Sequence, residues 1–211
     1  MKNSESKFTD FATENLQLYH NVGASLGAAA THPYKIWTNL LSVGQGTGNG
    51  QRVGDKIYSR SLYFKCWLST KQDRPNVMYR LLVLQWPESV YGSTYNGQNQ
   101  RIFYALDNGY AMTEHIDRHT YKVVYDKIIQ PIRQSGIPAT QKEHSYLHRF
   151  RIKTNRKVTY KDDSAGVTTN NPMGQQNSMA FYIIPYDAYG TLVTDNIASC
   201  GIVMRHYYKD L

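Results

Sequence analysis

The sequence has no apolar stretch of ~18 residues, the length that crosses a bilayer as a helix, and its opening run from Met1 to Phe11 has no hydrophobic region suited to a secretory signal. A soluble chain made inside the cell, with no membrane partner, is therefore expected. Cysteine is scarce: Cys66 and Cys200 are the only two, and both fall in strand-like runs. No Asn-x-Ser/Thr acceptor occurs either, so nothing calls for an oxidising or glycosylating compartment. Buried free thiols are the expected state, with a single disulfide as the alternative. Acidic residues are few, 16 Asp and Glu against 24 Lys and Arg, a formal net charge of +8. That balance favours an acidic partner such as nucleic acid, a sulfated glycan or a membrane surface, and the sign alone does not choose among them.

Signatures of catalysis are missing as well. There is no Gly-x-Ser-x-Gly elbow, and the two cysteines sit inside strand-like runs with no neighbouring base. Asp162 with Asp163, and Asp107 near Glu114, read as loop carboxylates, because nothing opposes them across a cleft. His115 with His119 and His144 with His148 have the i, i+4 spacing of helical zinc sites. Neither pair has the Glu-x-x-His context of metalloproteases, and the His-x-His pair of metal-binding cupins is absent. No cofactor, metal or enzymatic activity is expected.

What the chain has is tyrosine, 18 residues in a composition that is 13% aromatic and 41% hydrophobic. Tyrosine suits half-buried strands and contact surfaces, which need apolar area with a polar edge. Period-two alternation of β-branched and aromatic residues predicts eight strands, near 12–21, 56–69, 77–86, 119–130, 145–154, 157–161, 178–187 and 197–208. With no internal repeat, residues 1–211 are expected to form a single all-β domain in which 1–11 is a short flexible N-terminal segment. The unequal connections, longest at 22–55, 87–118 and 162–177, suit an antiparallel eight-stranded jelly roll, a two-sheet sandwich with long loops, better than an up-and-down barrel. One helical turn is predicted in the first of these, with Pro33 at its start and Ile36, Trp37, Leu40 and Leu41 on one face.

The most unusual run is Gly44-Gln45-Gly46-Thr47-Gly48-Asn49-Gly50-Gln51-Arg52-Val53-Gly54-Asp55-Lys56-Ile57, which leads directly into a strand. Gly44, Gly46, Gly48, Gly50 and Gly54 permit positive φ and close backbone approach, exposed amides there could bind an anion, and Arg52 is expected to make a fixed polar contact beside them. No Gly-Lys-Ser/Thr follows, so the run is not a P-loop, and it lacks the strand and helix that flank a Rossmann loop. Read from its residues, it is a tight structural loop. The Gln-Gly-Thr-Gly-x-Gly-x-Arg-x-Gly-x-Lys-Ile pattern resembles a signature of capsid proteins from small circular single-stranded DNA viruses that encode a replication initiator, the circovirus-like group. Glu14-Asn15-Leu16-Gln17-Leu18-Tyr19-His20 and Tyr121-Lys122-Val123-Val124-Tyr125-Asp126-Lys127 resemble two further stretches of that family, in the same order along about two-thirds of the chain. The resemblance implies an icosahedral shell built from copies of the chain around a single-stranded DNA genome, found in the virion and assembled in the host cell interior, including the nucleus. Such proteins usually open with an Arg/Lys-rich arm. Residues 1–11 carry only Lys2 and Lys7, balanced by Glu5 and Asp10, so either an arm lies outside this sequence or the DNA is packaged in another way.

The clearest charged constellation is a predicted hairpin over 145–161, which holds Arg149, Arg151, Lys153, Arg156, Lys157 and Lys161 and no acid between His148 and Lys161. Alternation places Phe150 and Ile152 on one side and Arg149, Arg151 and Lys153 on the other, a comb with a repeat of ~7 Å that suits the phosphates of a nucleic acid or the sulfates of a host glycosaminoglycan receptor. Its plain structural reading is a sheet edge kept from aggregating by its cations. Two rival functions remain open: a non-viral jelly-roll module for carbohydrate or polyanion, with Trp86, Tyr91 and Tyr95 stacking on sugars, and a cupin-type enzyme.

Overall fold

The computed structural model describes residues 6–20, 23–24, 35–37, 39–71, 73–74, 76–85, 103, 112–119, 121–130, 144–160, 179–187 and 195–211. Its strands are β1 (Ser6–Tyr19), β2 (Gly23–Ala24), β3 (Lys35–Trp37), β4 (Lys56–Thr70), β5 (Met78–Gln85), β6 (Lys122–Ile129), β7 (His144–Thr159), β8 (Met179–Tyr186) and β9 (Asn196–Asp210). They form a five-stranded sheet in the order β2-β1-β9-β4-β7 and a four-stranded sheet in the order β3-β8-β5-β6. All pairings are antiparallel, and they nest: β1 pairs with β9, β3 with β8, β4 with β7 and β5 with β6. This nesting, with each successive pair folded inside the last, is a jelly roll, and the two-residue β2 is an addition to the edge of β1.

The core forms because alternate residues of both sheets face each other. Leu62, Phe64, Cys66 and Leu68 of β4 and Ile202 and Met204 of β9 meet Tyr79, Leu81 and Val83 of β5 and Phe181 and Ile183 of β8. An aromatic stack crosses the interface: Phe64 lies 4.6 Å from Phe150, and Phe150 lies 4.1 Å from Tyr125 of the opposite sheet. Offset stacks of this kind add about 0.5–1.5 kcal/mol each beyond area burial. Cys66 and Cys200 are buried and free, and burial pushes the Cys200 thiol up to about 12, so both behave as small apolar side chains.

Three expectations need correction. The predicted helical turn is not one: Ile36 and Trp37 belong to β3, whose Lys35 and Trp37 pair with Tyr182 and Phe181, and Leu40 and Leu41 form a turn. Asn39, at φ 53, ends the extended run, and pairing with the free edge of β8 satisfies more backbone than one isolated helical turn would. Pro33 lies outside the described residues. The predicted hairpin over 145–161 is one sixteen-residue strand, β7. Thr154-Asn155-Arg156, which read as a turn, is a bulge instead: Asn155 takes φ 41 where both ladders of β4 shift register between Ser59 and Ser61. The strand gained at β3 replaces the one lost here, so the expected eight remain. Finally, the first predicted strand starts earlier than residue 12: β1 begins at Ser6, and Ser6 to Phe11 pair with Lys209 through Met204.

Candidate nucleic-acid interface on the five-stranded sheet

Strand register assembles the outer face of the larger sheet in rows. Lys65 of β4 sits between Arg149 of β7 and Val203 of β9, Tyr63 between Arg151 and Arg205, and Ser61 between Lys153 and Tyr207. Trp67 lies between Leu147 and Gly201, and, beyond the bulge, Tyr58 lies between Lys157 and Lys209. Cations and aromatic rings are thus interleaved across three strands, the arrangement that single-strand binders use to hold phosphates and stack bases.

Of the residues singled out from sequence, the structure brings Arg149, Arg151, Lys153 and Lys157 together on this face, all exposed. None of the four pairs with a carboxylate among the described residues. Arg151 is the most fixed, donating from Nε and Nη2 to Ser61 Oγ at 3.0 and 2.8 Å and lying 5.4 Å from the Tyr207 ring. Arg156 does not belong to the set. It shares the inward parity of Thr154 and Val158 and is half-buried, and burial lowers its pKa. Lys161 lies outside the described residues. Sequence reasoning missed Lys65, which joins the row only through its register with Arg149, although the alternation Tyr63, Lys65, Trp67 was a signal that they share one face. Arg205, also missed, is neutralised: Nε and Nη2 bind both carboxylate oxygens of Asp10 at 2.7 Å, which raises the guanidinium pKa further.

The glycine run is built around Arg52, which is 1% exposed. Its Nε donates to Val43 O at 3.3 Å, its Nη1 donates to Gly54 O at 2.5 Å, and its guanidinium lies 4.3 Å over the Tyr160 ring. The fixed contact expected beside the glycines is therefore present, and it ties the loop to the end of β7. The loop amides, however, are spent internally: Gly46 N donates to Arg52 O, Arg52 N to Gly44 O, and Gly48 N to Gln51 Oε1. An anion cradle would need these same donors. Positive φ is confined to Gly46, at 156°, where a Cβ would also strike the Gln51 side chain. Gly48 is crowded only by that same Gln51, Gly50 approaches Phe8 O, and a Cβ on Gly54 would meet nothing.

Unforeseen from sequence is a buried polar cluster under the same sheet. Ser59 Oγ contacts His206 Nε2 at 2.8 Å and Thr154 Oγ1 at 2.6 Å, and His206 is fully buried. Desolvation, aided by the Arg156 charge, pushes the His206 pKa down to about 3. A neutral imidazole sealed from solvent orders the sheet and offers no base to a substrate. His144 and His148 lie four residues apart on a strand, roughly 13 Å along it, too far to share a metal ion. Trp86, Tyr91 and Tyr95 lie outside the described residues.

No protein-family profile matches the chain, and no curated protein does. Among solved structures it is similar to the mud crab dicistrovirus (12% identity over 95% of this chain and 67% of that one, TM-score 0.29). It is similar too to the virus-like particle of the giant freshwater prawn Macrobrachium rosenbergii nodavirus (8%, 100% and 88%, TM-score 0.25). A third similar structure is VP1 of trichodysplasia spinulosa-associated polyomavirus in complex with GM1 oligosaccharide (8%, 99% and 94%, TM-score 0.24). Values this low carry no argument about function, and the jelly-roll assignment rests on the strand ladders.

Proposed function

We propose that the chain is a viral capsid protein that assembles with copies of itself around a single-stranded DNA genome, with the outer face of the five-stranded sheet as its DNA contact. The observation that carries this reading is the row Lys65, Arg149, Arg151, Lys153 and Lys157, exposed, without carboxylate partners and interleaved with aromatic rings. The jelly-roll nesting and the resemblance of the glycine-arginine run to circovirus-like capsids support the shell-forming part. The protein is expected to purify as large closed particles under light scattering and negative-stain microscopy. A strictly monomeric species across wide ranges of salt, pH and concentration overturns the shell.

If the five cations of the row neutralise about four to five phosphates, log affinity for single-stranded DNA falls with log salt at a slope of about −3 to −3.5, at ~0.7 per phosphate. Replacing Arg149, Arg151, Lys153 and Lys157 together with Gln flattens that slope and leaves the fold intact, since all four are exposed. A quadruple variant with the full slope places the contact elsewhere. One that loses heparin binding while packaging DNA normally means that the same row faces a host glycosaminoglycan.

A further inference from the structure

Beside the cationic row lies a groove of about 490 Å³, within the range of small-ligand clefts, roughly 300–1,000 Å³. Its wall is Trp67, 51% exposed, and its floor is Gly201, the residue of β9 that pairs with it. The strand on the far side is bulged: β1 shifts register between Thr13 and Leu16, with Asn15 at φ 54, so Gly201 faces the bulge without a paired residue. The missing side chain and the shifted register leave room beside the half-exposed Trp67, and Val203 and Leu147 add apolar lining. Lys65, about 7 Å along β4 from Trp67, also lines the groove, and Arg149 of β7 pairs with it. Glu14 of β1 is the one acidic residue of the lining, and its charge disfavours an anion beside it.

We propose that this groove is a nucleobase-stacking site, in which a base of single-stranded DNA lies against Trp67 over Gly201 while its phosphate is held by Lys65 and Arg149; the assignment rests on the reading above that this face contacts DNA. An aromatic wall over an apolar, side-chain-free floor takes a flat ring. The adjacent unpaired cations give no advantage to a neutral sugar and would repel the same cationic face of a second copy. A flat ring joined to an anion is what the groove and the row hold together. Because stacking is not electrostatic, Trp67 sets affinity without changing the salt slope, and any base is accepted.

The test compares a thymine oligonucleotide with an abasic strand of equal length, by fluorescence anisotropy on the purified full chain. Trp67→Ala is expected to weaken thymine binding about 5- to 100-fold with no change on the abasic strand and no change in salt slope, and Trp67→Phe to restore part of the loss. Gly201→Ala supplies an independent variant: a Cβ there meets Thr13 O at 3.9 Å and Trp67 Cβ at 4.0 Å, ordinary contacts, so the fold is kept while the floor gains a side chain. It should reproduce the Trp67→Ala loss. Wild-type affinity in both variants, or an equal loss on both strands, overturns the stacking site while a flattened slope in the quadruple Gln variant keeps the DNA-contact reading. Absence of any binding to either strand overturns both.

Discussion

Strands β5 and β8, at the centre of the four-stranded sheet, are buried along both faces, whereas β4, β7 and β9 of the five-stranded sheet alternate between buried and exposed. The difference lies in what covers the outer faces. Over the smaller sheet, Leu82, Leu84, Tyr182 and Ile184 pack against Phe103, Ile116 and Tyr121 in a second apolar cluster. Arg80 fastens that cover, binding both oxygens of Asp126 at 3.0 and 2.8 Å and donating to Met112 O and Glu114 O. On the larger sheet the described outer face is mostly charged and aromatic, with Leu147 and Val203 among its apolar members. A jelly roll has two outer faces to dispose of: here loop residues close one, while among the described residues none packs as a second apolar cluster over the other.

Removing the fastening should have the largest effect. Arg80→Met leaves Asp126 and two carbonyls without their donor and is expected to cost about 3 kcal/mol, seen as a lower denaturation midpoint. Hydrogen exchange in 112–119 should rise more than exchange in β4 or β7. A uniform rise would mean that the cover is not a separately held layer.

Acid should act on the other sheet. His206 of β9 and His148 of β7 both lie on its inner face, and burial lowers the pKa of each. With His206 near 3 in the folded protein and about 6.5 unfolded, the unfolded chain binds the extra proton between those values, so stability falls as pH falls below about 6.5. At about 1.4 kcal/mol per pH unit, His206 alone should remove about 2 kcal/mol between pH 6.5 and 5, before most carboxylates titrate. His206→Gln should flatten this part of the stability-pH curve. An unchanged curve would mean that His206 is not the source of the acid sensitivity and would shift attention to His148.

The open face was legible in sequence because exposure and alternation coincide there: Arg149, Arg151 and Lys153 announce their side of β7 by spacing alone. The closed face was harder to read. Continuous burial in Met78–Gln85 and Met179–Tyr186 shows only that both sides are covered, and the covering residues, Phe103 and Ile116, come from a connection with no strand pattern of its own. Arg156 was misplaced for a different reason. The predicted hairpin breaks the chain between 154 and 157, whereas a bulge keeps it extended and turns Arg156 inward, a choice set by pairing with Ser59. Long-range register, which local spacing does not encode, also brought Lys65 into the row.

The glycine run sharpens the contrast between fixed and open parts at a smaller scale. Gly46→Ala should cost about 1 kcal/mol, since Gly46 has positive φ and its Cβ would displace the Gln51 side chain that Gly48 N binds. Gly54→Ala should change the melting temperature by no more than a surface substitution does, because a Cβ there meets nothing. Equal costs at the two positions would mean that the loop tightens against glycine generally and not through Gln51.

The smallest stability effect belongs to the open face itself. Lys153 is exposed on the edge strand, faces Ser61 across the ladder and pairs with no carboxylate among the described residues, so Lys153→Gln should change stability by less than about 0.5 kcal/mol. Its effect on DNA should nevertheless be measurable, a reduction of the salt slope by about 0.7 if the side chain meets one phosphate. Arg151→Gln is the informative partner: its two bonds to Ser61 and its place over Tyr207 give it a packing role that Lys153 lacks, so it should lower both the denaturation midpoint and the slope. If Lys153→Gln lowers stability as much as Arg151→Gln does, the lysine is part of the scaffold. If it leaves the slope unchanged while Arg151→Gln reduces it, the DNA path crosses the sheet nearer to Tyr63 and Lys65 than to the end of the row.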